Sequence, residues 1–242
     1  MTKKLITDKA FILAAGFGKR MYPITKFCPK PLVEFKGKPL IHHLIENLLN
    51  LNINEIIINS HYLHDVMSGY IKKNFDSSVI LIVEKKILNT GGGVKNAIHQ
   101  GYFKNLEKPF FLLNGDIYLS KKNFLVLKKL SNNWENKMEG LITLKKKKNL
   151  FGYNGNGDFD FETNESMPGL IHNRNLKKKY VYAGITLLKP KIFMKTQRII
   201  FPLLDSFNLM IKNDKLFGLI DEEKWLHLGT VDDLNKAKGL KF

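Results

Sequence analysis

The 242-residue sequence predicts an α/β fold, one domain on a doubly wound, mixed and mostly parallel sheet. Three observations carry this. Short apolar runs alternate with segments of helical spacing from residue 9 to residue 116. The first run, KAFILAA, is apolar after Lys9 and is followed by glycine, as suits a strand covered on both faces. The chain is also long enough to bury the core of one large α/β domain, and it shows no internal repeat or linker.

The elements follow in order. A strand is predicted over 9–15. Ile41, Leu44, Ile45, Leu48 and Leu49 recur at helical spacing within 39–51, where Pro39 suits a helix start. EIIIN (55–59) reads as a strand, 62–74 as a helix and VILIVE (79–84) as a strand. NTGGG then reads as a loop before a short helix from Val94 to about Tyr102. PFFLLNGD (109–116) is a strand that ends at an acidic residue. Beyond residue 120 the rhythm changes. LITLK (141–145) and YVYAGITLLKP (180–190) read as strands, with the Gly/Asn-rich stretch 151–161 as a hairpin or active-site loop between them. A helix near 202–213, the strand LFGLI and a final helix capped by Thr230 complete the prediction.

Of the 39 basic residues only Arg20, Arg174 and Arg198 are arginines; the other 36 are lysines. The formal charge of +17 therefore reads as lysine bias and a solvated surface, without the Arg-rich groove or aromatic platform of a nucleic-acid binder. General attraction of anionic substrates fits the same charge. No apolar run is long enough to span a bilayer, and the start, MTKKLITDK, lacks the apolar core of a signal peptide. A cytoplasmic protein with neither membrane nor nucleic-acid partner is expected. The single Cys28 excludes an internal disulfide and a cysteine zinc site.

After the first strand comes Gly16-Phe17-Gly18-Lys19-Arg20, with Lys30 close behind. A dinucleotide fingerprint needs a third glycine at position 21, where Met21 stands. A Walker A loop needs Gly-Lys-Ser/Thr, a spelling absent here; Gly37-Lys38 is followed by Pro39. What is left is bare backbone N–H groups flanked by cations, which suits a triphosphate. Arg20 can grip phosphate bidentately and Lys30 can act as a mobile point charge. A tight strand-to-helix turn with surface cations explains the spacing equally well.

The longer stretch discriminates. L-A-A-G-x-G-x-R-M-x-P-x-T from Leu13 to Thr25, then P-K-P-L from Pro29 to Leu32, resembles the signature of sugar-1-phosphate nucleotidyltransferases. The likeness continues through Thr90-Gly91-Gly92-Gly93, Asn114-Gly115-Asp116, Tyr182-Ala183-Gly184-Ile185 and Trp225 to Thr230. The Thr-Gly-Gly-Gly spelling looks most like N-acetylmuramate α-1-phosphate uridylyltransferases, with mannose-1-phosphate guanylyltransferases as the alternative. The resemblance implies a Rossmann-like fold of the nucleotide-diphospho-sugar transferase type, one domain whose first half, about 1–120, binds the nucleotide and whose second, about 121–242, binds the sugar phosphate. It also implies condensation of an NTP with a sugar 1-phosphate to a nucleotide sugar and pyrophosphate. UTP with N-acetylmuramate 1-phosphate is the first expectation.

By the same resemblance Arg20 holds the β/γ phosphates and Lys30 bridges the α-phosphate and the sugar phosphate. The backbone of Ala14, Ala15 and Gly16 faces the nucleotide, with Leu13, Gly18, Lys19 and Thr90 beside it. Gly91, Gly92 and Gly93 would let the base approach without a Cβ in the way. Asp116, at a strand end, suits Mg²⁺, with Mn²⁺ as an alternative, and Asn114 on the same face could touch both substrates. Glu84, Asp158 and Gly184 sit where the family contacts its acceptor; a strand-end carboxylate and a surface turn explain Glu84 and Asp158 as well. Asn173 and Arg174 are polar loop candidates.

One position departs from the pattern. Many relatives read Trp-x-Asp-x-Gly-Thr near the end, the Asp being a second magnesium ligand. Here His227 stands in its place. Imidazole suits softer divalent ions better than Mg²⁺. Three readings follow: a hydrogen bond to phosphate or metal-bound water, ligation of an ion such as Mn²⁺, or a degraded site. His42, His43, His61 and His64 read as surface or packing residues, His172 has no evident partner, and Cys28 reads as a small packed residue. Nothing in the sequence specifies an oligomeric state.

Overall fold

The structure, a computed structural model, describes residues 4–120, 123–153, 155–160, 167–172 and 178–240. The elements are β1 (Lys9–Leu13), α1 (Leu40–Asn50), β2 (Glu55–Ser60), α2 (His64–Asn74), β3 (Val79–Val83), α3 (Asn89–His99) and β4 (Phe110–Asn114). They continue with α4 (Val126–Asn132), β5 (Gly140–Lys146), β6 (Gly169–Leu170), β7 (Tyr180–Leu188), α5 (Leu203–Lys212), β8 (Leu216–Ile220) and α6 (Val231–Lys238).

Eight strands form one sheet in the order β3-β2-β1-β4-β7-β5-β8-β6. The first four run parallel, with Leu13 level with Asn59 on β2 and Asn114 on β4. β7 is antiparallel to β4 and β5, and β8 is parallel to β5 and antiparallel to β6. The sheet is thus mixed and mostly parallel, as the alternation predicts. Chain order reverses between β1 and β4, and open α/β sheets bind ligands at such a switch point, beyond the strands' carboxyl ends.

Successive side chains of a strand point to opposite faces, and both faces here are covered. Ala10, Ile12, Ile56 and Ile58 pack with Ile41 and Leu44 of α1, Met67 of α2 and Leu127 of α4. Phe11 and Ile57 point the other way, to Val94 of α3 and Phe207 of α5. A smaller cluster joins Met21 and Phe35 of the signature region to Leu226, Leu228 and Leu234, so the chain's end packs under its glycine loop. Thr230 caps α6 in a capping box with Asp233, as its position predicts.

Four segments differ from expectation. α3 starts at Asn89, not at Val94, so Thr90 to Gly93 are helical. Three glycines disfavour a helix by propensity; here the turn is held from outside, because the Gly91 and Gly92 N–H groups both donate to the Phe201 carbonyl, at 2.9 and 3.1 Å. Short α4 and two-residue β6 carry too little periodicity to be read in advance. In the stretch 151–161, residues 151–153 and 155–160 are described, and no two of them pair as a hairpin. Leu150–Phe151 pairs in parallel with Trp225–Leu226, and Phe159 bridges Tyr180.

Candidate active site

β1 delivers Leu13 to the switch point, and the chain then turns through Ala14, Ala15 and Gly16. Gly18 has φ +63°, and a Cβ there would lie 2.9 Å from the Lys30 Cβ. Glycine is required on both counts, and the missing side chain lets Lys30 pack against the loop. The Thr25 hydroxyl donates to the Gly18 carbonyl at 2.8 Å and closes the turn. Lys30 is buried along its stem, yet its Nζ donates to Asp116 Oδ2 at 2.6 Å. Gly115 lets β4 end tightly: its N–H donates to the Leu13 carbonyl at 2.9 Å, where a Cβ would stand 2.7 Å from that oxygen. Gly184, at φ +73°, gives room to the Asn114 amide; a Cβ would lie 2.8 Å from its Nδ2.

Two cavities adjoin at this point. One, of about 330 Å³, is lined by Gly16, Gly18, Lys19, Arg20, Lys30 and Asp116. The other, of about 420 Å³, is lined by Asn59, Ile87, Asn89, Thr90, Asn114 and Ile200. Leu13, Gly16 and Asp116 belong to both. The first holds three cations around bare backbone, a setting for a polyphosphate. The second has no lysine or arginine in its wall.

His227 lines neither cavity but feels the charges of the first. Burial, then Lys30 and Arg20, lower its basicity, while Asp116 and Asp233 oppose them. The net effect favours neutral imidazole beside the two cations. Its ring packs near Trp225 and meets Tyr153 edge-on, and a Cβ on Gly229 would lie 2.7 Å from His227 Nε2.

A hard divalent cation shares its oxygen ligands between one or two carboxylates and substrate phosphates. Asp116, on the boundary of both cavities, fits that pattern. Among the described residues no group of three or more His, Cys, Asp or Glu side chains could hold a metal unaided.

Arg20, Lys30, Asp116, Asn114, Lys19, Thr90 and the loop from Leu13 to Gly18 are thus brought together. Other sequence expectations are corrected. Glu84 is not offered to an acceptor: it is 2% exposed, one oxygen accepting from Asn59 Nδ2 at 2.6 Å and the other from the Leu88 N–H at 3.0 Å. Gly91, Gly92 and Gly93 are buried and line neither cavity. A Cβ at Gly91 would strike the Phe201 ring, one at Gly92 the Ile199 carbonyl, and one at Gly93 the Asn59–Glu84 pair. Their small size serves packing. Asp158 accepts from the Tyr182 N–H at 2.9 Å, and neither it nor Gly184 lines a cavity. Asn173 and Arg174 lie outside the described residues.

Sequence reasoning missed Asn59, whose Oδ1 accepts from the Ala14 N–H at 2.8 Å and so fixes the glycine loop. Its place at the end of a predicted parallel strand is the signal that could have found it. Ile87 and Ile200 carried no such signal. His42, His43, His61 and His64 bond to Tyr70, the Phe35 carbonyl, the Glu84 carbonyl and Ser60, which are the packing roles expected. Burial, then Glu34, push the Cys28 thiol up, which keeps it protonated.

The family model for nucleotidyl transferases matches residues 9–240. The chain belongs to the nucleotidyl transferase family. Among nucleotidyl transferases, it is 27% identical over 228 residues to N-acetylmuramate alpha-1-phosphate uridylyltransferase of Caulobacter vibrioides, 91% of each chain being covered. It is 28% identical over 240 residues to "Probable mannose-1-phosphate guanylyltransferase 3" of Oryza sativa subsp. japonica, covering 93% of this chain and 62% of that protein. UDP-glucose pyrophosphorylase, solved with UDP-glucose, superposes with a TM-score of 0.76 at 18% identity, over 96% of this chain and 97% of that one. HddC of Yersinia pseudotuberculosis, solved with GMP-PN, gives 0.69 at 22% identity, over 95% and 97%. These two likenesses establish the nucleotidyl transferase fold. No helix among the described residues is long and apolar enough to cross a membrane.

Proposed function

We propose that the protein is a sugar-1-phosphate nucleotidyltransferase, with UTP and N-acetylmuramate 1-phosphate as its substrates. The observation that carries the reaction class is the pair of adjoining cavities, one cationic and one neutral, meeting at Asp116. A polyphosphate and an uncharged organic group joined to it fit that pair. The uridylyltransferase likeness over 91% of both chains supports the choice of substrates. GTP with mannose 1-phosphate is the second reading, supported by the rice relative.

In this reading a phosphate oxygen of the sugar 1-phosphate forms a bond to the α-phosphorus. The bond from that phosphorus to the bridging oxygen of the β-phosphate breaks, and pyrophosphate leaves. No covalent enzyme intermediate is needed, so positioning and charge stabilisation carry the catalysis. Arg20 holds the departing β and γ phosphates. Lys30 spans the α-phosphate and the incoming sugar phosphate, which would otherwise repel each other. Backbone N–H groups of the glycine loop bind the nucleotide. Asp116 would hold Mg²⁺, or Mn²⁺, and the ion when bound neutralises phosphate charge. His227, which burial and the neighbouring cations keep neutral, would hydrogen-bond a phosphate or bound water.

Pyrophosphate release tests this, crossing UTP, GTP, CTP and dTTP against N-acetylmuramate, glucose, N-acetylglucosamine and mannose 1-phosphates with Mg²⁺. One strongly preferred pair, lost in Lys30→Met, is the expected result. A folded protein silent across the grid with Mg²⁺ and with Mn²⁺ would refute these substrates and favour a non-catalytic nucleotide-sugar-binding module.

A further inference from the structure

The N-terminus of α3 is crossed by a strap, residues 196–203, more than a hundred positions away in sequence. The strap is fastened at four points. The Phe201 carbonyl accepts from Gly91 and Gly92 N–H, and the Phe201 N–H donates to the Leu88 carbonyl at 3.3 Å. The Leu203 N–H donates to Thr90 Oγ1 at 2.7 Å. Lys95, itself only 7% exposed, donates through Nζ to the carbonyls of Thr196 and Arg198 at 2.5 and 3.1 Å. A buried ammonium spent on backbone carbonyls is a costly fastening, so the strap's position matters to the molecule.

What the strap delivers is Ile200. Ile199 points away and is 70% exposed, and Phe201 is buried in the core, whereas Ile200 lines the neutral cavity together with Ile87. Ile87 and Ile200 remain 36% and 53% exposed, so their apolar surface is available to a ligand. The remaining lining offers the amides of Asn89 and Asn114 and the Thr90 hydroxyl, the Asn59 amide being spent on the Ala14 N–H and Glu84. A flat heterocycle has apolar faces and hydrogen-bonding edges, and matches this wall. A phosphate does not, because the only charge there is the Asp116 carboxylate.

We infer that the strap is a nucleobase clamp: Ile200, held in place through Lys95, closes on the base against Ile87 and helps set nucleotide selectivity. Ile87 and Ile200 touch the base; Lys95 is a positioning residue. The inference rests on the nucleotidyltransferase reading, and it moves a segment of the second half to the nucleotide end of the site.

Equilibrium binding to the whole protein, by calorimetry without sugar phosphate, tests it with UTP, GTP, CTP, dTTP and inorganic tripolyphosphate as probes. Ile200→Ser should weaken the preferred nucleotide about tenfold and narrow its lead over the others, from the apolar contact it removes. Tripolyphosphate, which lacks a base, should bind as to the wild type. Lys95→Met should shift nucleotide affinity in the same direction and spare tripolyphosphate. Ile199→Ser, one residue away and outside the cavity, should change neither. Nucleotide affinities unchanged in Ile200→Ser would overturn the clamp and leave the nucleotidyltransferase reading standing. So would a rise in the sugar-phosphate KM with nucleotide affinity unmoved, since that places the acceptor in the neutral cavity. A wild-type protein that binds neither nucleotide nor tripolyphosphate would overturn both.

Discussion

Gly93→Ala puts the smallest possible load on the network that holds the glycine loop. The added methyl would lie 2.6 Å from both Asn59 Nδ2 and Glu84 Oε1. Neither group can swing aside. Asn59 and Glu84 are each 2% exposed, and both ends of each side chain are engaged, Asn59 with the Ala14 N–H and Glu84 with the Leu88 N–H. Overpacking a buried site costs about 1–3 kcal/mol, and breaking a hydrogen bond to a charged group costs about 1.5–3 kcal/mol. Against this, alanine gains up to about 1 kcal/mol of helix propensity over glycine. The net expectation is a loss of about 2–4 kcal/mol, which in a chain of this size lowers Tm by about 5–15 °C.

The control is Gly69→Ala in α2. Gly69 is exposed, and an added Cβ there meets nothing within 4 Å. Only the propensity term remains, so that variant should gain up to about 1 kcal/mol. Urea unfolding followed by circular dichroism compares the two. Because Asn59 also holds the Ala14 N–H, Gly93→Ala should raise the nucleotide KM more than it lowers kcat. A Gly93→Ala protein as stable as the wild type, or stabilised alongside Gly69→Ala, would refute the claim that this glycine is a packing requirement.

Glu84→Gln should destabilise at every pH although it removes a buried charge, because an amide offers one acceptor where two donors converge, at a cost of about 1–3 kcal/mol. Burial raises the Glu84 pKa above the usual 4.5, against the pull of Asn59, the Leu88 N–H and His61. Native protein therefore takes up this proton before unfolded protein does as pH falls, so the Glu84 contribution improves from neutrality down to about 4.5. The stability gap between wild type and Glu84→Gln, from urea unfolding at several pH values, should widen over that window; a gap that narrows would sink the argument. Lys30→Met should abolish most turnover and also raise Mn²⁺ affinity of the nucleotide-free protein. The Lys30–Asp116 pair it removes is partly exposed and worth about 1 kcal/mol, or about fivefold in affinity. Paramagnetic resonance titration reads this directly, and an unchanged affinity would separate Asp116 from the metal. His227→Asp should keep or raise Mg²⁺-dependent pyrophosphate release; a folded variant without turnover would count against simple ligand replacement.

The parts of the site that sequence made legible are those whose geometry is local. Gly16 to Arg20 follow a strand directly, Gly18 is demanded by its own φ, and Asp116 stands two residues beyond β4. Continuous apolar runs between helical segments also mark buried strands well, which is why the sheet and its parallel first half were foreseeable. Glu84 was misplaced for a non-local reason. A carboxylate at a strand end faces a ligand or a neighbouring loop with the same spelling, and only Asn59 and Leu88 decide between them.

The Thr90–Gly93 run shows the same limit more sharply. Propensity reads three glycines as loop, and chemistry reads them as room for a ligand. Both readings concern the glycines' own neighbourhood, whereas Gly91 and Gly92 make room for residues 196–203 and Gly93 for the Asn59–Glu84 pair. Two N–H groups that a free helix start would offer to an anion are spent instead on the Phe201 carbonyl. That exchange withdraws the α3 N-terminus from anion binding, and the cations stand in the other cavity, as Lys19, Arg20 and Lys30. The cavity beside α3 has no lysine or arginine in its wall, and its helix end is already capped by the segment that carries Ile200 into that wall.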